Sequence, residues 1–131
     1  MPTHIGQIAL LVNDYDEAIK YYVNILQFRL VEDTLLSDKK RWVVIEPRES
    51  NNQGCKLLLA KASNENQLKY VGNQSGGRVF LFLYTTDFDK FHSKLMANSV
   101  KIVNEPRIQT YGKVLVFRDL YGNLWDLIQP F

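Results

Sequence analysis

The sequence predicts an α+β fold built from two tandem βαβββ modules. Three observations lead there. The order strand, helix, strand, strand, strand can be read twice along the 131 residues. A stretch rich in Asn, Gln, Ser and Gly, at about 62–77, separates the two readings. The halves also share short matching segments: Asp14-Tyr15-Asp16 with Asp87-Phe88-Asp89, and, with one residue deleted, Phe28-Arg29-Leu30-Val31 with Val100-Lys101-Ile102-Val103. A repeat of this kind means that each half has a sheet face it cannot bury alone. The two sheets are expected to cover their outer faces with helices and to curl their inner faces around a shared cavity. This length suits one domain, 1–131, with module one at about 4–61, a connector at about 62–77 and module two at about 78–131.

The elements follow in order. Ile5 to Val12 is apolar and partly β-branched, as a buried strand should be. It stops at Asn13-Asp14. Asp14 followed by Glu17 has the spacing of a capping box, and Tyr15, Ala18, Ile19, Tyr22 and Leu26 recur at helical spacing, so a helix is expected up to Leu26-Gln27. Phe28–Leu36, Arg41–Glu46 and Cys55–Ala60 read as strands. Ser37-Asp38-Lys39-Lys40 separates the first two, and the turn-rich run 47–54 separates the last two. In the connector, Asn64 to Val71 is a short helix closed by Gly72. The second half restarts with a strand at Val79–Tyr84. A helix opened by Thr86-Asp87 carries Phe88, Phe91, His92 and Leu95 on one face. Strands are then expected at Val100–Val103, ended by Glu105-Pro106, at Lys113–Phe117 and at Leu124–Ile128.

Composition excludes several classes. Apolar residues are 46% and charged residues 23%, which is globular rather than disordered. Lys and Arg number 16 against 14 Asp and Glu, a formal charge of +2, too small to mark a nucleic-acid or anionic-membrane surface. The longest apolar run, Val79 to Tyr84, is far short of the roughly 20 residues of a spanning helix. The start has no basic n-region. The single cysteine, Cys55, can form neither an intrachain disulfide nor a zinc knuckle. These features predict a cytoplasmic protein. There is no Ser-His-Asp order, no Gly-rich phosphate loop and no CxxC pair.

Two stretches carry a family resemblance. One is Ile8-Ala9-Leu10-Leu11-Val12-Asn13-Asp14, followed by Tyr21-Tyr22. The other is Phe117-Arg118-Asp119-Leu120-Tyr121-Gly122-Asn123-Leu124-Trp125-Asp126-Leu127. With the tandem modules, they resemble the vicinal oxygen chelate superfamily: glyoxalase I, fosfomycin resistance proteins, extradiol dioxygenases and bleomycin resistance proteins. The second stretch is similar to that family's closing signature, Asp-Pro-Asp-Gly-Asn before a strand with Glu-Leu. Leu120 replaces the Pro, Tyr121 the Asp and Asp126 the Glu.

The resemblance implies four metal-ligand positions, which here read Gln7, Leu58, Phe80 and Asp126. A catalytic divalent ion needs about three protein donors. This set offers one amide and one carboxylate, so no metal and no cofactor is expected; any metal would fall to Gln7 and Asp126. His4 has the opposite strand parity to Gln7 and reads as a surface residue, and His92 reads as a helix flank facing the outer side of the sheet. Strand alternation turns Gln7, Ala9, Leu11, Lys56, Leu58, Phe80, Phe82, Tyr84, Leu124, Asp126 and Ile128 toward the cavity. Tyr111, in a turn before a strand, is a further ligand contact that the resemblance implies. Trp42, after Lys39-Lys40-Arg41, reads as a packed Trp beside a solvated hairpin in preference to an anion clamp.

The function expected from this pattern is metal-independent binding of a small apolar or aromatic molecule by a homodimer of the bleomycin-resistance type. Asp126 is expected to be its polar anchor. The alternatives are a divalent-metal lyase or dioxygenase of the same superfamily, and a structural dimer with a filled cavity.

Overall fold

The computed structural model describes all 131 residues. The chain forms two compact units, Met1–Tyr70 and Val71–Phe131.

The first unit runs β1 (Gln7–Val12), α1 (Tyr15–Asn24), β2 (Phe28–Leu35), β3 (Arg41–Pro47), β4 (Lys56–Lys61) and a short α2 (Glu65–Leu68). Its sheet order is β1-β4-β3-β2, with β1 parallel to β4 and the other pairs antiparallel. Asp14 caps α1 by accepting a hydrogen bond from the Glu17 amide at 2.9 Å, satisfying one of the donors a helix start leaves open. The helix ends at Asn24, two residues earlier than its apolar spacing suggests, and the chain then enters the left-handed region at Gln27, φ 61°. Tyr15, Ala18, Tyr21 and Tyr22 are buried on α1, and Leu10, Val12, Val43, Ile45, Leu57 and Leu59 are buried in the sheet. Fully burying an aliphatic or Phe side chain contributes about 1.5–3 kcal/mol, so this layer carries the unit.

The second unit repeats the plan: β5 (Val79–Tyr84), α3 (Phe88–Ala97), β6 (Ile102–Gln109), β7 (Gly112–Arg118) and β8 (Leu124–Pro130). Its sheet order is β5-β8-β7-β6, with β5 parallel to β8. Asp87 caps α3 through the Lys90 amide. Phe88 and Leu95 of α3 are buried, as are Leu83, Leu115, Phe117, Trp125 and Leu127 of the sheet.

Two expectations need correction. The strand expected to stop at Glu105-Pro106 continues to Gln109. β6 is the outer strand, and its pairing with β7 slips between Asn104 and Arg107, so Pro106 sits where no ladder hydrogen bond is required of it. The helix expected over 64–71 is a single turn, Glu65–Leu68, capped by Asn64.

Candidate functional site

In the first unit, Gln7 lies opposite Lys56, Ala9 opposite Leu58, and Val44 opposite Leu58 on the other side. The neighbours on either side, Leu57 and Leu59, belong to the buried layer. Gln7, Ala9, Lys56 and Leu58 therefore share the face opposite that layer, as strand parity predicts. Two steps along β3 from Val44, the same face carries Trp42 in one direction and Glu46 in the other. Glu46 is only 5% exposed. Its carboxylate is ion-paired with Arg29, accepts a 3.4 Å hydrogen bond from Ser50, and has the Lys56 Nζ 4.0 Å away. Lys56 thus has within reach a carboxylate that the sequence reading missed. Alternation from Val44 was the signal that could have found it.

A cleft of about 800 Å³ opens in this unit where β1 and β4 end, α1 begins and the β2–β3 hairpin turns. Leu11, Trp42, Leu58 and Ala60 supply apolar wall, and Lys39 and Lys40 lie on it. Trp42 therefore forms part of a cleft wall and is only partly buried. Arg41 is not an anion clamp. It holds both oxygens of Asp33, at 3.1 and 2.7 Å, and Asp16 at 2.9 Å, with its guanidinium 5.1 Å from the centre of the Tyr15 ring. These carboxylates hold Arg41 still more firmly protonated than usual. It fastens β3 to the start of α1.

In the second unit, Phe82 lies opposite Asp126, and Tyr84 opposite Ile128. The register slips between Val79 and Leu81, so the ring beside the carboxyl is Phe82, with Phe80 set at the irregularity. Phe82 is 57% exposed and Tyr84 65%, whereas Asp126 is 7% exposed. Asp126 Oδ1 is buried with no hydrogen-bond partner. Burial pushes its carboxyl above the usual range, and the positive charge of Arg107 partly opposes this. Tyr111 is exposed in the turn between β6 and β7, beyond the Gly112–Pro130 pair, and so stands apart from Asp126 along β8. His4 is exposed. His92 lies on α3 against Phe88, ring centres 6.0 Å apart, with Nε2 buried and unpartnered.

The raised pKa of Asp126 has a testable sign. A carboxyl that is easier to protonate when folded supports the fold below its unfolded pKa, and that support is lost as pH rises through the folded value. Asp126→Asn is expected to gain Tm relative to the native chain as pH rises from about 3 to 7. Parallel melting curves across that range would contradict the assignment.

A family profile described as the Glyoxalase/Bleomycin resistance protein/Dioxygenase superfamily matches residues 4–127. The chain belongs to this superfamily. It is 55% identical over 130 residues to a protein of Shewanella frigidimarina (strain NCIMB 400), covering 98% of this chain and 95% of that one. Among solved structures, UcmS2 superposes with a TM-score of 0.82 at 22% identity, covering 98% of each chain. TnmS3, an antibiotic binding protein from Streptomyces sp. CB03234, gives 0.76 at 23% identity, covering 99% of this chain and 98% of that one. These two show the same fold.

The superfamily's closing signature has a structural task in this chain. Asp119, 6% exposed, accepts hydrogen bonds from the amides of Tyr121, Gly122 and Asn123 on Oδ1. On Oδ2 it accepts from Asn123 Nδ2 and Trp125 Nε1. This carboxylate folds the loop that delivers β8, and with it Asp126. Leu58 and Phe80, which the resemblance set at metal-ligand positions, are apolar, and no group of three or more His, Cys, Asp or Glu side chains comes together to hold a metal.

Proposed function

We propose that this protein binds a small, largely apolar or aromatic molecule without a metal ion. The observation that carries the reading is the face of the second sheet at Phe82 and Tyr84. There two rings stand out in solvent beside a buried carboxyl instead of packing into the core. Exposed aromatic surface with a few placed polar groups is the composition of a ligand site. The proposed contacts within the first unit are Gln7, Ala9, Lys56 and Leu58; Phe80, Phe82, Tyr84, Tyr111 and Asp126 are a separate set within the second. The Trp42 cleft, within the volume range of small-molecule pockets, adds to the first set. TnmS3 supports the reading as an antibiotic binding protein of the same fold.

The donor set does not fit a divalent ion, since an amide and one carboxylate fall short of three ligands. That argues against the metal-dependent lyase or dioxygenase. The reading includes a homodimer in the cytoplasm. Tag-free protein is expected to contain well under one transition metal per chain and to sediment at about twice 15.2 kDa. It is also expected to bind 2-naphthylmethanol in an NMR titration, with affinity falling about tenfold in Phe82→Ala. One metal per chain by elemental analysis, lost in Asp126→Ala, would overturn the metal-free reading.

A further inference from the structure

We infer that Asp126 selects a ligand carrying an N–H donor on a positively charged group attached to an aromatic ring. The inference rests on the binding reading above and names the ligand class for that face. Its basis is a mismatch between burial and bonding. Asp126 is 93% buried by exposure, yet Oδ1 accepts no hydrogen bond. Buried polar atoms are nearly always paired, and an orphan among them calls for an explanation. A second carboxylate, Asp119, lies in the same unit and accepts five hydrogen bonds. The fold can satisfy a buried carboxylate there, and it leaves Asp126 unsatisfied.

The surroundings indicate what would complete it. β8 is one strand in from the edge strand β5, and Phe82 is the residue directly across from Asp126. Neighbouring strands lie about 4.8 Å apart. A planar ring laid against the exposed Phe82 therefore brings a substituent one or two bonds long over β8. Tyr84, on the same face two residues along, extends the aromatic platform. The chemistry of the acceptor then discriminates. An ammonium donates to the carboxylate and compensates its charge, making the stronger, charge-assisted kind of hydrogen bond. A hydroxyl donates without charge, and an anion is repelled. The positive charge of Arg107 acts on the group without forming an ion pair with it.

Three naphthalenes of nearly one shape test this: 2-naphthylmethylammonium, 2-naphthylmethanol and 2-naphthoate, titrated into the full chain at constant pH and ionic strength. The ammonium is expected to bind about tenfold more tightly than the alcohol, and the naphthoate most weakly. Asp126→Asn is expected to lose the tenfold preference for the ammonium over the alcohol. Asp126→Leu, which fills the space with an apolar group, is expected to do the same and serves if the amide variant does not fold. Equal affinity for ammonium and alcohol in the native chain would overturn the role of Asp126, as would a preference that survives either substitution; in both cases the binding reading stands. If no naphthalene binds, the inference and the reading beneath it fall together.

Discussion

Asp119→Ala is expected to cost about 4 kcal/mol of stability and to lower Tm by roughly 10 °C or more. The carboxylate accepts five hydrogen bonds between 2.9 and 3.2 Å, three from consecutive backbone amides and two from side chains. Removing it strands the buried Trp125 indole and the buried Asn123 amide, and each orphaned donor costs about 1–3 kcal/mol. The exposed ion pair Lys113–Asp89 sits near the other end of the scale, because solvent screens it. Asp119→Asn separates shape from charge. Its oxygen can still take the three amides, but its NH₂ then faces two donors, so about half the loss is expected. Chemical denaturation of both variants measures this, and a loss below about 1 kcal/mol for the alanine variant would contradict the lock.

Gly72→Ala attacks the same loop from the other side, with an expected loss of about 2–4 kcal/mol. A Cβ built on Gly72 would lie 1.9 Å from the Tyr121 carbonyl oxygen and 2.6 Å from its carbon, both backbone atoms. Gly72 also has φ +79°, a region an L-residue enters at a cost of roughly 1 kcal/mol. Nearby, the Gln74 amide donates to Asn123 Oδ1, so a hydrogen bond joins the connector to the closing loop beside this close approach. Displacing the loop moves the start of β8. Gly72→Ala is therefore expected to weaken naphthalene binding as well as stability, although Gly72 itself lies outside the proposed site. A variant with native Tm would show that the two backbones can separate without cost.

Much of the fold was legible because it is written in short-range patterns. Asp14 and Asp87 announce both long helices through a side chain that reaches only three residues. Alternation assigned Leu10 and Val12 to the buried layer of β1 and Gln7, Ala9 and Leu11 to the other face. The failures lie where sheet neighbours decide. Pro106 reads as a stop in isolation and is tolerated because β6 has no partner on its outer side. From Val79 opposite Leu124, an unbroken ladder would set Leu81 opposite Asp126; the slip between Val79 and Leu81 gives that place to Phe82. Lys56 reads as a free polar group on a pocket wall, and only the β3–β4 pairing shows Glu46 within its reach. The closing signature pointed to the family correctly, and its Asp119 folds the loop that delivers β8.

The outer strands have a consequence for how this chain behaves at high concentration. A strand at the rim of a sheet offers a row of open amides and carbonyls on which another chain can polymerise. β6 lacks one of those amides at Pro106, and its pairing slips twice, between Ile102 and Asn104 and again before Arg107. β2 slips between Leu30 and Glu32 and places two acidic residues, Glu32 and Asp33, along its rim. Both rims are poor templates for fibril growth. Intermolecular strand addition on either of these two strands is thereby disfavoured.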